Sequence, residues 1–255
     1  MQNHDQAVLR QFDAQAAAYF TSPVHAAGAD LDWLRDVWLP SLPAGGRALD
    51  AGCGAGHLGF TLAGHFAEVV AVDPSAGMLE TVAGHAARQG LPVTTCRALA
   101  DDLPFESASF DLVASRYSAH HWLHLERSLQ ELHRVLRPGG HLLLIDVLGD
   151  ESVLVDTHLQ AIELLRDPSH ICDRSSSAWQ RLLAAAEFEI VATQAWPLRL
   201  EFASWAARMR TPELQLQAIR ALQTGAPQEV RSALQLEDDG SFSVRTGAFV
   251  AMRRG

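Results

Sequence analysis

Two kinds of apolar spacing alternate along the chain, and their alternation predicts an order of elements. Val8, Leu9, Phe12, Ala16, Tyr19 and Phe20 recur at helical spacing, so an amphipathic helix is expected from about Asp5 to Phe20, ended by Thr21-Ser22-Pro23. Leu31, Leu34, Val37 and Trp38 share a face of a second helix that stops before Pro40 and Pro43. Short strand-like runs follow, the second of them apolar enough to be buried on both faces. They end at Asp50, at Asp73 (from Glu68), at Ala98 (from Val93), at Ser115 (from Phe110) and at Asp146 (from His141). Helical patterns lie between them: Leu58, Leu62, Ala63 and Phe66; a stretch opening at Pro74 with Ser75 as its cap; and Leu125, Leu129, Leu132, Val135 and Leu136, broken by Arg137-Pro138-Gly139-Gly140.

Strand and helix in alternation predict an α/β fold, doubly wound, with helices on both faces of a mostly parallel sheet. Two more helices are expected around Val153–Leu165 and Ala178–Ala186, a sixth strand over Phe188–Ala195, and a last strand from about Phe242 to Met252. Between these strands lie roughly forty residues of helical character. Thr211-Pro212-Glu213 and Ala226-Pro227-Gln228 read as helix starts with proline at the first position, and Asp238-Asp239-Gly240 as a turn. One domain, residues 1–255, is expected. It divides into an N-terminal helical lid (1–40), a core (41–196), a helical substrate-cap insertion (197–240) and the final strand (241–255).

Composition narrows the partners. A net charge of −10, with every basic residue an arginine, disfavours nucleic acid as the bulk partner. No apolar run reaches the length of a membrane span. The polar N-terminus lacks the apolar core of a secretion signal, and Cys53, Cys96 and Cys172 are few and far apart. A reduced, cytoplasmic setting is the expectation. Monomer and homodimer are both open.

The chemistry gathers at Asp50-x-Gly52-x-Gly54-x-Gly56. A strand stops at a carboxylate, glycines make a turn that brings backbone close to a ligand, and a helix N-terminus offers free amides. Gly54-Ala55-Gly56-His57-Leu58-Gly59 also matches the dinucleotide fingerprint, so a nicotinamide-dependent oxidoreductase is a competing reading. Asp50 suits a cationic group better than a phosphate. Asp73, one helix later, can accept both hydroxyls of a ribose, a feature of either class of site. Past the fourth strand stands Ser115-Arg116-Tyr117-Ser118-Ala119-His120-His121-Trp122. Imidazole is suited to proton removal near neutral pH, and His121 is favoured as a base, with His120 the alternate. His120 and His124 could share a helix face toward a metal, but no third ligand stands at a plausible spacing, and no metal is expected. Arg116 could pair with an acidic substrate, with Asp146 or with Glu131.

With its glycine spacing, the chain resembles the class I S-adenosylmethionine (SAM)-dependent methyltransferases. Ala100-Asp101-Asp102-Leu103-Pro104-Phe105 and the helix–Arg-Pro-Gly-Gly–strand block resemble the type-11 branch, typified by ubiquinone and menaquinone biosynthesis. The resemblance implies a seven-stranded Rossmann-like sheet whose last strand inserts antiparallel. It implies SAM as cofactor and S-adenosylhomocysteine as product. The loop of Gly52, Cys53, Gly54 and Gly56 would wrap the methionine part, with Asp50 toward its ammonium and Asp73 on the ribose. Asp101 would take the adenine amino group, with Asp102 as its neighbour in an uncertain register, and Ala100 and Leu103 would frame the ring. Pro74, Met78, Ser115 and Arg116 complete the expected cofactor contacts. Tyr19 and His25 would lie over the methionine end. The acceptor would be a small molecule, methylated at carbon or oxygen, with Trp196, Phe202, Trp205, Met209 and Arg210 as candidate contacts. A non-catalytic SAM-binding protein is the further alternative.

Overall fold

The apolar runs pair side by side as parallel strands because the central ones are buried on both faces and must find neighbours for their amides, while the run Val93–Cys96, at the edge, leaves Thr94 and Thr95 exposed. The computed structural model describes residues 27–254 together with His4, Gln6 and Leu9. Strands β1 (Arg47–Ala51), β2 (Glu68–Val72), β3 (Val93–Cys96), β4 (Phe110–Arg116) and β5 (Leu136–Leu148) run parallel. β6 (Phe188–Leu200) and β7 (Phe242–Arg253) complete one sheet of order β3-β2-β1-β4-β5-β7-β6, in which β7 lies antiparallel to both its neighbours.

Alternate residues of each strand serve opposite faces, as the pleat requires. Leu142 and Leu144 join one core with Leu129 and Leu132 of helix α4 (Leu125–Val135) and Trp179 of α6 (Ser176–Ala185). Leu143 and Ile145 join the opposite core with Leu31 of α1 (Ala29–Trp33) and Leu58 and Leu62 of α2 (His57–Leu62). α3 (Ala76–Gln89) is capped as expected, the Ser75 hydroxyl accepting the Met78 amide at 3.1 Å.

Three boundaries differ from expectation for local reasons. The helix around Leu31 becomes a π-turn over Leu34–Trp38 and a 3-10 turn over Leu39–Ser41, so Pro40 is absorbed in the unwinding end. Residues of the Arg-Pro-Gly-Gly break belong to β5, where the register against β4 shifts between Phe110 and Leu112. β6 runs past Pro197 to Leu200, paired with Arg245 down to Phe242. β6 is an edge strand, and an edge tolerates proline because one side makes no ladder bonds.

Between β6 and β7 lie α7 (Phe202–Arg208), α8 (Glu213–Thr224) and α9 (Gln228–Ala233), the last two beginning one residue after their prolines. α7 and α8 pack through Trp205 and Ile219 onto Leu159 and Ile162 of α5 (Val153–Arg166), and α9 through Val230 onto Val155. Among the described residues, no helix is long and apolar enough to cross a membrane.

Candidate active site

β1 ends at Ala51, and the chain turns through three glycines before α2. Gly52, Gly54 and Gly56 hold φ of 70°, 49° and 89°, a region that side chains disfavour. The amides of Gly52 and Cys53 donate to the Val72 carbonyl at 2.8 and 2.9 Å, clamping the loop to β2. A Cβ on Gly54 would meet nothing within 4 Å, so this backbone faces open space. Gly56 serves packing instead: a Cβ there would press on Phe60 and Val82.

The open space is a cleft along the carboxyl ends of β1, β2 and β4, where the order of the sheet reverses. The cleft opens to solvent, and its empty volume counted out to that solvent is about 1280 Å³. Asp50, Gly52, Cys53, Gly54, Asp73, Pro74, Met78, Ala100, Asp101 and Arg116 all line it. Gly56, Asp102, Leu103 and Ser115 do not. Tyr19 and His25 lie outside the described residues.

Asp50 is 1% exposed. Its Oδ2 accepts the Gly59 amide at 2.8 Å, while Oδ1 is buried with no hydrogen-bond partner among the described residues. Burial pushes its pKa up to about 7, against the pull of the Gly59 amide and with a push from the Asp73 charge. An orphaned carboxylate oxygen at the wall of a cleft is costly unless something cationic meets it. Asp73 accepts the Gly54 amide on one oxygen and the Ser75 amide on the other, each at 2.9 Å. These bonds aim the carboxylate across the mouth of the glycine loop.

Beyond β3, the register of the two aspartates is plain: Asp101 lines the cleft and Asp102 is exposed outside it. Leu103 turns into the core, and its placement is fixed from α4. Glu131 accepts the Leu103 amide at 3.1 Å, and Arg134 donates to the carbonyls of Leu103 and Phe105 at 3.0 and 2.7 Å. Leu103 therefore frames the site from behind, through the backbone of its own turn.

Past β4 the expectations need correction. Ser115 is 1% exposed within the sheet and does not reach the cleft. Arg116 pairs neither with Asp146 nor with Glu131 but with Asp30, its Nε 2.5 Å from Oδ2. His121 lines the cleft, but its ring faces the segment 167–169. Nδ1–H reaches the Ser169 carbonyl at 3.1 Å, and Nε2 lies 3.9 Å from Asp167 Oδ2. Burial and the neighbouring His120 charge drive its pKa down to about 4. His120 instead bonds Asp146 through Nδ1 at 2.6 Å. Among the described residues, no three His, Cys, Asp or Glu gather as a metal site would need.

Sequence reasoning passed over several residues of the wall. Tyr117 turns the chain with φ of 52°, its hydroxyl 3.2 Å from Thr246 Oγ1. The Trp122 indole donates to Ser118 Oγ at 3.1 Å. Both aromatics stand in the string after β4, and their position past a strand tip was the available signal. Leu9 of the N-terminal segment also lines the cleft, and His4 Nε2 lies 3.1 Å from the His121 carbonyl oxygen. The acceptor contacts expected from the insertion are not there. Trp205 and Met209 are buried, and among the described residues none from 197 to 240 lines the cleft.

A seven-stranded sheet with an inserted antiparallel strand, and a glycine turn between two acid-tipped strands, define a Rossmann-like methyltransferase fold. The chain belongs to the class I SAM-dependent methyltransferases, in their type-11 branch. Residues 49–144 match the family model described as a methyltransferase domain. The chain is similar to the uncharacterized protein YafE of Escherichia coli, 43% identical over 194 residues that span 76% of this chain and 94% of that protein. It is also similar to a demethylmenaquinone methyltransferase of Clavibacter sepedonicus, 33% identical over 78% of this chain and 79% of the other. The crystal structure of YcgJ from Bacillus subtilis superimposes with a TM-score of 0.79 at 30% identity, covering 84% of this chain and 94% of that one.

Proposed function

We propose that this enzyme transfers the methyl group of SAM to a small-molecule acceptor, at carbon or oxygen. The observation that carries the cofactor assignment is the buried Oδ1 of Asp50, without a partner among the described residues, beside the open face of Gly54. A positively charged amino group there would supply the missing partner. Asp73, already aimed by two amides, takes the ribose hydroxyls, and Asp101 takes the adenine amino group. Pro74, Met78, Ala100 and Leu99 supply the apolar frame of the base. Bound SAM supplies an electrophilic methyl group on a sulfonium. The protein aligns the acceptor behind that carbon and excludes water, which can account for several kcal/mol of the barrier without a covalent step. Described residues of the N-terminal segment, Leu9 and Asp30, meet the cleft or its lining and fit a cover over the methionine end. A net charge of −10 argues for small acceptors over nucleic acid.

Calorimetry with SAM, S-adenosylhomocysteine and NAD tests the cofactor. Binding of the first two without NAD is the expected result, and tight NAD binding with no response to SAM overturns it. Transfer of an isotopic methyl label into the low-mass fraction of a cell extract tests the acceptor class. Label confined to macromolecules, or no transfer at all, contradicts a small-molecule methyltransferase.

A further inference from the structure

The segment 167–173, between α5 and α6, has irregular backbone yet lies inside the molecule. Asp167, Ser169, His170 and Asp173 are between 1% and 6% exposed. Connecting segments usually run over the surface, where water serves their polar groups. Here protein serves most of them. Asp167 Oδ1 accepts the Ser169 amide and hydroxyl at 2.8 and 2.6 Å, a turn that sets the direction of the Ser169 carbonyl. Gln160 of α5 brackets Asp173, donating to its carbonyl at 2.7 Å and accepting its amide at 3.0 Å. Bonds of this number in a buried place make the segment a stiff strap.

What the strap grips is the 3-10 turn Ala119–His121, just past β4. The amides of Ile171 and Cys172 donate to the His120 carbonyl at 2.9 and 3.2 Å. The Ser169 carbonyl accepts Nδ1–H of His121 at 3.1 Å. On its other side the turn bears on the glycine loop. Ser118, His121 and Trp122 line the cleft, and the Trp122 indole donates to Ser118 Oγ at 3.1 Å. A Cβ on Gly52 would stand 1.9 Å from that oxygen and 3.6 Å from the indole nitrogen. The turn is thus seated between the strap and the first glycine of the loop. The start of the strap is held in turn by the helical insertion. Arg166 donates to the Trp205 carbonyl at 3.1 Å and lies 4.8 Å from the centre of its ring, and Thr211 Oγ1 donates to the Arg166 carbonyl at 3.2 Å.

We infer that Asp167 is a positioning residue for the cofactor site: by holding Ser169 it fixes the turn 119–121, and through Ser118 and Trp122 that turn fixes the glycine loop at Gly52. The insertion, none of whose described residues lines the cleft, serves the site as the anchor of this strap. The inference rests on the methyl-transfer reading for the identity of the ligand. Asp167 lines no part of the cleft, so its contribution is geometric. Three glycines at positive φ leave a loop wide conformational freedom, and what packs against the loop decides its shape. The Val72 carbonyl braces it from β2, and Ser118 braces it from β4. A loop held in its binding shape spares the ligand the cost of ordering it.

Calorimetry with S-adenosylhomocysteine and NMR of the intact protein test the strap together. Asp167→Ala should weaken S-adenosylhomocysteine by at least about fivefold, while Asp167→Asn, which keeps an oxygen for the Ser169 amide, stays within about threefold of the wild type. In a Trp122→Phe background the further cost of Asp167→Ala should shrink to less than about twofold, because both substitutions act through one turn. The Trp122 indole N–H signal, assigned by its loss in Trp122→Phe, should move in Asp167→Ala and stay in place in Asp167→Asn. Linkage requires the ligand to act back on the strap, so S-adenosylhomocysteine should slow exchange of the Ile171 and Cys172 amides by at least about fivefold. An Asp167 that served stability alone would leave the affinity, the indole signal and the exchange response of the folded protein unchanged. That result overturns the inference, as do additive effects of Asp167→Ala and Trp122→Phe, or an Asn variant as weak as the Ala variant. If Asp167→Ala does not fold, amide exchange in the wild-type protein decides, and no slowing by the ligand overturns it. Wild-type protein that binds no S-adenosylhomocysteine would instead overturn the methyl-transfer reading, and the indole signal in Asp167→Ala would still decide whether Asp167 sets the turn.

Discussion

The guanidinium of Arg116 grips the carboxylate of Asp30 with two donors, Nε to Oδ2 at 2.5 Å and Nη2 to Oδ1 at 3.2 Å, and both side chains are about 95% buried. This fork ties the start of α1 to the tip of β4 and stacks Arg116 on Tyr117, 4.5 Å from the ring centre. Removing one partner of a buried pair strands the other charge, so Asp30→Ala should destabilise the protein by about 3–5 kcal/mol. Replacing both, as in Asp30→Leu with Arg116→Met, should recover most of that loss. Urea unfolding measures both variants. An Asp30→Ala protein as stable as the wild type would show that the pair holds nothing in place.

Asp50 makes ligand affinity depend on pH. With a pKa of about 7 in the free protein, the group is half protonated near neutrality, and a cationic ligand selects the ionised form. S-adenosylhomocysteine affinity should therefore fall about tenfold per pH unit below 7, with proton release on binding. The sign for stability is opposite. A raised carboxylate pKa contributes stability that is full below the unfolded value of 3.8 and lost as pH rises through about 7. The ligand should consequently raise the melting temperature more at pH 8 than at pH 6. Calorimetry in buffers of differing ionisation enthalpy reads the proton release; none below pH 7 would refute a buried Asp50 under the ligand's amino group.

Asp73 does two jobs at once. Its carboxylate orders the loop through Gly54 and Ser75, and the residue lines the cleft. Asp73→Ala should weaken SAM by about 2–3 kcal/mol, because a charged acceptor is lost while the hydroxyls it served stay desolvated. The fold should survive with a stability loss of about 1–3 kcal/mol from the two freed amides. An unchanged dissociation constant would show that the tip of β2 does not meet the ribose.

What the sequence made legible follows from the range of each interaction. The succession of strands along the chain could be read because strands carry short apolar runs, two of them tipped by Asp50 and Asp73, all local signals. The sixth strand outran its expected end at Ala195 because Pro197 is harmless where a ladder has one free side. Arg116's partner was not legible: Asp30 lies 86 residues away and became its neighbour only on folding. Nor was the tether of His120 legible, since Asp146 lies 26 residues downstream. Periodicity marked the insertion as helical. It could not say that α7 and α8 would spend Trp205 and Ile219 on α5, leaving them none of the cleft.

The paired aspartates after β3 give the sharpest contrast between neighbours. Asp101 lines the cleft while Asp102 faces out, its amide turned back onto the Leu99 carbonyl at 3.2 Å. The turn is held from α4 by Glu131 and Arg134, themselves joined at 2.7 and 2.8 Å. Either aspartate can thus be removed without collapsing the turn. Asp101→Ala should weaken S-adenosylhomocysteine by about 1–3 kcal/mol, since it takes a hydrogen-bonded charge from the adenine end. Asp102→Ala should change affinity by less than about 0.5 kcal/mol, as befits an exposed position away from the ligand. Arg134→Ala separates bracing from contact. It frees two carbonyls and the Glu131 carboxylate, so it should lower both stability and affinity although it lies outside the cleft. Equal effects of Asp101→Ala and Asp102→Ala in calorimetry would mean that the turn slips by one residue around the adenine. In that case the bracing from α4 does not set the register.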